Sequence, residues 1–211
     1  MYWKADSFRL FLSHVSADRQ LAFDLAKHLD EAYGIECFVA HADIEPSTDW
    51  QKEIESALGS MNAMLALFTK GFSESYWCNQ EVGWALGSGR LVVSVMVNET
   101  PRGFVARPQG VQGLDRNILL IAVRVFNTLA SNDLTTEAVG VVAARRFRNA
   151  TSWESIRDYL APQLRRCKKL NDLALDQIEA GFRETSHVRT SRYVDDISRM
   201  LRSKGRNVDL E

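Results

Sequence analysis

Four short runs, apolar at nearly every position, punctuate the first half of the chain: Phe8–Ser13 (FRLFLS), Ile35–Ala40 (IECFVA), Ala63–Thr69 (AMLALFT) and Leu91–Val97 (LVVSVMV). Runs this short, stopped by turn-forming residues, predict strands rather than helices. Between them the apolar positions recur at helical spacing. Ser16 and Asp18 are placed to cap a first helix whose apolar positions are Leu21, Phe23, Leu25, Ala26 and Leu29, with Gly34 at its left-handed end. Asp49 is placed to cap a second helix with Ile54, Ala57 and Leu58 inward, closed by Gly59. A third is predicted over Trp77–Leu86, ended by Gly87–Gly89.

Strands that are apolar throughout need helices on both sheet faces, and strict alternation with helices supplies them. The pattern therefore predicts a doubly wound parallel α/β sheet. Ligands in such sheets bind beyond the carboxyl ends of the strands, which selects the loops after Ser13, Ala40, Thr69 and Val97. After Val97 the strand pattern stops. A loop over Asn98–Arg116 leads to helical stretches over 117–130, 134–148, 153–169, 172–185 and 188–203, with Pro162 expected to kink or break the third of them. The first of these helices completes the sheet domain, giving residues 1–130 as an α/β domain and 131–211 as an all-helical extension. The terminal RNVDLE is expected to fray.

With 211 residues, 25% charged and 45% hydrophobic, the chain has an ordinary globular composition and length enough for a core without staples. Cys37, Cys78 and Cys167 lack paired spacing, which excludes a disulfide framework and a zinc ribbon. No apolar run is long enough to span a bilayer, and the opening MYWKADSF has no signal-like core, so the expectation is a reduced, cytoplasmic protein with no membrane partner. The near-zero net charge conceals an asymmetry. Met1–Arg116 holds 10 Lys/Arg against 15 Asp/Glu, and the remainder holds 16 against 12. The basic run Arg165–Lys169 has no interleaved aromatics and reads as a solvated or subunit-contacting face rather than a nucleic-acid site.

Phosphate-loop, nucleophile-elbow and dinucleotide fingerprints are absent, the histidines have no metal-ligand spacing, and no metal or cofactor is expected. A phosphoacceptor role would need an Asp where Thr69-Lys70 follows the third strand. The concentrated feature is FSESYWCNQEVG (Phe72–Gly83), which sets Trp77 and Glu81 one turn apart on a helix that starts at the ligand-binding edge.

Three ordered blocks, FLSH (Phe11–His14), VAHADIEPSTDW (Val39–Trp50) and SESYWCNQEVGWALGSG (Ser73–Gly89), resemble a bacterial TIR (Toll/interleukin-1 receptor) domain over roughly residues 8–130. The segment Arg102–Gly113 and the helical tail are similar to a subgroup of bacterial TIR proteins with an added helical region. The resemblance implies a flavodoxin-like TIR fold and, for this type, cleavage of NAD+ as substrate. It carries the family's catalytic glutamate onto Glu81, its flexible loop onto His41–Trp50, and pocket-lining positions onto Ser13 and His14. Many active relatives have an aromatic or basic residue where His14-Val15 stands.

A lone carboxylate suits that chemistry. Nicotinamide leaves as a neutral pyridine, so no acid is required, and one preorganised anion can stabilise an oxocarbenium-like transition state and hold ribose hydroxyls. The substrate-binding candidates are Ser13, His14, His41, Asp43, Trp50 and Trp77. Trp50 either stacks on the nucleotide or packs; Asp43 and Glu45 either gate the pocket or solubilise a loop; His14 either contacts ligand or is a core histidine. Ser75 and Cys78 read as helix cap and packing residue. Two functions follow from the resemblance. One is an NAD+ nucleosidase or ADP-ribosyl cyclase, giving ADP-ribose or a cyclic or modified signal to a separate effector in Thoeris-like anti-phage defence. The other is a non-catalytic scaffold. Both carry an expectation of homo-oligomers through TIR–TIR contacts.

Overall fold

A computed structural model describes residues 3–39, 48–106, 110–113 and 116–206, with only the backbone of 48–50. The chain divides into two units, residues 1–31 with 35–128, and residues 32–34 with 129 onward.

The first unit is a parallel sheet of β1 (Phe8–Ser13), β2 (Ile35–Val39), β3 (Ala63–Phe68), β4 (Leu91–Met96) and β5 (Val111–Gln112), in the order β2-β1-β3-β4-β5. The expected doubly wound fold is present. Helices α1 (Arg19–Tyr33), α2 (Thr48–Ser60), α3 (Tyr76–Gly87) and α4 (Ile118–Ser131) connect and flank the strands. Every residue of β3 is buried, as a central strand covered on both faces requires. One side of the core joins Phe11, Met64, Ala66 and Phe68 to Ile54, Leu58 and Met61, and to Cys78, Val82 and Ala85 of α3.

Several local expectations change. Ser16–Asp18 forms a tight turn running directly into α1, and Asp18 accepts an ion pair from Arg116 at 2.9 Å instead of capping the helix. Phe23 is not an inward position. It stands 38% exposed with the Arg19 guanidinium over its ring at 5.6 Å, and Ala22 takes the core place. Helix α2 begins at Thr48, so Asp49 lies inside its first turn rather than before it. Gly34 does adopt the left-handed conformation, with φ of +68°.

The fifth strand was not predicted. It is only two residues long and pairs Val95 with Val111 and Met96 with Gln112, too short to leave a period in the sequence. Its neighbour Gly113 passes so close that a Cβ there would lie 2.9 Å from Val95 Cγ1 and 3.0 Å from Val97 Cγ2.

In the second unit, α5 (Thr136–Arg148), α6 (Trp153–Ser155), α7 (Ala161–Arg166), α8 (Asp172–Glu184), α9 (Ser186–Arg189) and α10 (Asp195–Ser203) bury a core that includes Phe147, Ile156, Leu160, Leu164, Ile178, Phe182 and Leu201. Pro162 does not break its helix. A π turn over Ile156–Leu160, closed by the Ala161 N–H on the Ile156 carbonyl, joins α6 to α7 just ahead of the proline. The stretch expected over 188–203 is interrupted between α9 and α10, where the Ser191 hydroxyl accepts from the Tyr193 N–H. Arg206, expected to fray, pairs with Asp172 at 3.2 Å and with Asp176; residues 207–211 lie outside the described residues. The basic run is engaged in ion pairs: Arg165 with Asp196, and Lys168 and Lys169 with Asp133. No single described helix is long and apolar enough to cross a membrane.

Candidate active site

In the order β2-β1-β3-β4-β5 the chain leaves β1 in one direction and β3 in the other, so a crevice opens where their carboxyl ends diverge. Ser13, the last residue of β1, pairs in register with Ala66 of β3 and is fully buried at that edge. His14 follows it, 5% exposed, and Thr69 sits immediately beyond β3 with a buried hydroxyl that has no hydrogen-bond partner among the described residues.

The route from β3 to α3 is fixed by short-range chemistry. The Thr69 carbonyl accepts from the Phe72 N–H at 3.0 Å, and Gly71 takes the left-handed conformation, φ +90°, that reverses the chain. Phe72 then packs on Phe68, ring centroids 4.3 Å apart. Glu99, arriving after β4, accepts from the Gly71 N–H at 3.0 Å and the Ser73 N–H at 2.9 Å. Ser75 caps α3, accepting from the Cys78 N–H at 3.3 Å, and Cys78 is a buried packing residue; both act as expected.

The inward stripe of α3 is Cys78, Glu81, Val82 and Ala85, spaced i, i+3, i+4, i+7. One of these four is a carboxylate. Glu81 is 5% exposed, and the Ser13 hydroxyl donates to its Oε2 at 2.5 Å. Burial pushes its carboxyl up to about 7, against the opposing pull of that hydrogen bond. Cys78 Sγ donates to the His14 carbonyl at 3.5 Å, and burial pushes its thiol up, which keeps it a neutral packing group. Ser13, the His14 backbone, Cys78 and Glu81 thus meet at the β1 end of the crevice.

Trp77 behaves differently from its helical neighbour Glu81. It is 46% exposed, and Tyr76 beside it is 85% exposed, so the indole lies at the surface of α3 while the carboxylate faces the core. His41 and Asp43 lie outside the described residues, as does the side chain of Trp50. Two contributors escaped the sequence reading. Thr69 was visible only as the residue ending an apolar run, and Glu99 gave no signal because its partners are backbone groups of a distant turn. Among the described residues, no group of three or more His, Cys, Asp or Glu could hold a metal ion.

A buried carboxyl that ionises near neutrality, steadied by one hydroxyl at the mouth of a crevice, can oppose a positive charge that develops on a bound ligand. Residues 10–125 match the sequence profile of the TIR domain. The fold is similar to the crystal structure of the TIR domain of the Toll-related receptor TRR-2 from Hydra magnipapillata, at 14% sequence identity over 56% of this chain and 94% of that one, with a TM-score of 0.45. No curated protein sequence matches the chain.

Proposed function

The chain belongs to the TIR-domain family, and from that premise we propose that it cleaves the N-glycosidic bond between nicotinamide and ribose in NAD+, with Glu81 as the catalytic residue. The observation that carries this reading is the Glu81 carboxylate, set among apolar residues on the inward stripe of α3 and bonded to Ser13 at the β1–β3 switch point.

In this reaction the C1′–N bond breaks and its electron pair stays on the pyridine nitrogen, so nicotinamide departs neutral. The ribosyl carbon is left with oxocarbenium character, which ionised Glu81 opposes. Water then adds at C1′ and loses a proton, giving ADP-ribose; a ribose hydroxyl or a ring nitrogen adding instead gives a cyclic or conjugated product. The cationic nicotinamide ring favours ionisation of a carboxyl that burial raises to about 7. Ser13 holds the carboxylate in place, and His14, His41, Asp43, Trp50 and Trp77 are the further substrate-binding candidates. The product would serve as a signal to a separate effector in bacterial anti-phage defence.

The outer surface of α3 supports self-association of this site's domain. Tyr76 is 85% exposed and Trp84 46%, large side chains of the kind that protein interfaces cover. A scaffold role rests on the same surface and predicts assembly without turnover.

The test is NAD+ consumption by purified protein, with products identified by mass spectrometry and Glu81→Gln as control. Wild type is expected to release nicotinamide, and Glu81→Gln to lose at least about a hundredfold in rate. Equal turnover by the two removes Glu81 from the chemistry, and no turnover at any protein concentration favours the scaffold.

A further inference from the structure

The second unit contains a cleft of about 280 Å³ that the TIR-domain chemistry does not use, lined by Trp153, Glu154, Arg157, Thr190, Arg192 and Tyr193. We propose that this cleft is a ligand site in its own right, built for a purine nucleoside monophosphate.

Its walls are aromatic and fixed. Trp153 stands 52% exposed, yet its indole N–H donates to the Thr190 hydroxyl at 3.1 Å and the His187 ring packs edge-on against it, centroids 5.2 Å apart. A half-exposed indole held by two neighbours offers a stacking face at little cost in ordering. Tyr193 faces two guanidinium groups, Arg157 at 5.9 Å and Arg192 at 5.2 Å from its ring centroid, and Arg192 also donates to its hydroxyl at 3.1 Å. The Ser191 hydroxyl accepts from the Tyr193 N–H, which pins the backbone behind that ring.

The polar groups sort by partner. Arg157 is held in a two-point pair with Asp158, at 2.6 and 2.8 Å, so part of its charge is already met. Arg192 is held by the Tyr193 ring and hydroxyl rather than by a carboxylate, so its charge can still meet an anion. Glu154 is the one carboxylate in the lining, and carboxylates hydrogen-bond sugar hydroxyls in nucleotide sites. An aromatic plate, a carboxylate and a pair of guanidinium groups match base, ribose and phosphate in turn. The volume of about 280 Å³ lies near the lower limit of small-molecule pockets, the scale of a single nucleotide rather than of a dinucleotide such as NAD+.

The architecture explains how the cleft arises. The π turn over Ile156–Leu160 accommodates Pro162 and carries Arg157 and Asp158 on its widened outer face, while Ile156 and Leu160 stay in the core. Opposite, the break between α9 and α10 places Thr190, Arg192 and Tyr193 on one short connection. Two helix irregularities thus meet across one cavity, and such irregularities recur at functional sites.

The proposal does not depend on NAD+ cleavage, and its test keeps the two apart. AMP, adenosine and inorganic phosphate are titrated separately by calorimetry into the intact protein. AMP is expected to bind at one site with a Kd below about 1 mM, with adenosine and phosphate each at least about tenfold weaker. Arg192→Ala and Trp153→Ala are each expected to weaken AMP at least about tenfold, and Trp153→Phe to retain most of the affinity. Melting curves accompany the variants; if Trp153→Ala melts early, Arg192→Glu decides, since that side chain is exposed. No saturable AMP binding, phosphate binding as tightly as AMP, or affinity unchanged in Arg192→Ala overturns the proposal. NAD+ turnover measured on the same variants reports only on the sheet domain.

Discussion

Ser13 and Glu81 are 68 residues apart in sequence, and the Ser13 hydroxyl donates to the Glu81 carboxylate at 2.5 Å across the crevice at the end of β1. The bond opposes burial, which still raises that carboxyl from its ordinary 4.5 to about 7. Removing the hydroxyl in Ser13→Ala leaves burial unopposed, so Glu81 should hold its proton to higher pH. The acidic limb of the pH profile for NAD+ cleavage should move up by about one unit, as loss of a hydrogen bond to a charged group implies. An unchanged profile would show that Ser13 does not govern the ionisation of the reacting carboxyl.

Glu81 should also oppose stability as pH rises. Its carboxyl binds a proton more tightly in the folded chain, near 7, than at its ordinary value of 4.5. The folded state is therefore favoured below about pH 4.5, and that advantage is lost as pH rises through 7. Glu81→Gln keeps an oxygen to accept from Ser13 and carries no charge. It should melt above wild type at pH 8, by roughly 2–3 kcal/mol, with the gap closing toward pH 5. A gap that stays constant between the two pH values would mean that the buried charge is relieved by some other group.

Strands β1, β3 and β4 were legible because each is buried along nearly all of its length, which forces an almost continuous apolar run, whereas β2, at the sheet edge, is only half-buried beyond Ile35 and showed itself by its short run alone. Glu81 drew notice through its place one turn after Trp77 on a helix starting at the ligand-binding edge and through the TIR resemblance, while its burial on the inward stripe of α3 appears only in the fold. What escaped the sequence depends on neighbours remote in the chain. Asp18 looks like a cap until Arg116 reaches it, and Phe23 fits the apolar spacing of α1 yet stands at the surface under the Arg19 guanidinium. Pro162 looks like a break, but the widened turn before it supplies a second way to pass a residue with no N–H. The Trp153–Tyr193 cleft had no local signature, because its walls come from elements about 40 residues apart that only the helical core brings together.

The two glycines flanking β5 should differ in their tolerance of a methyl group. At Gly113 a Cβ would meet the stiff side chains of Val95 and Val97 at 2.9 and 3.0 Å and the Met96 carbonyl at 3.2 Å. At Gly110 the nearest atom is Met96 Cε, at 2.6 Å, the free end of a flexible chain that can swing away. Gly113→Ala should cost about 1–3 kcal/mol and Gly110→Ala well under half of that, read as midpoints in urea. Equal costs would show that β5 yields as a whole rather than at the contact.

Glu99 should matter to turnover without touching substrate. Burial pushes its carboxyl up, but hydrogen bonds from Ser73, by side chain and backbone, and from the Gly71 and Phe72 backbone more than offset this and hold it below the ordinary 4.5. The Gly71 and Ser73 N–H groups belong to the turn that delivers Ser75 and then α3, so Glu99 is a positioning residue for Glu81. The stability it confers is present above about pH 4.5 and is lost as pH falls through its lower folded value. Glu99→Gln keeps only one accepting oxygen and should cost about 1 kcal/mol at pH 7; Glu99→Ala leaves both donors without it and should cost about 2 kcal/mol. Turnover should fall severalfold in Glu99→Ala with the acidic limb of the pH profile in place, because the environment of the Glu81 carboxyl is unchanged while its carrier helix is less firmly held. A shifted limb would mean that Glu99 acts on Glu81 through charge, and an unaltered rate would mean that Ser75 and Phe72 alone suffice to seat the helix.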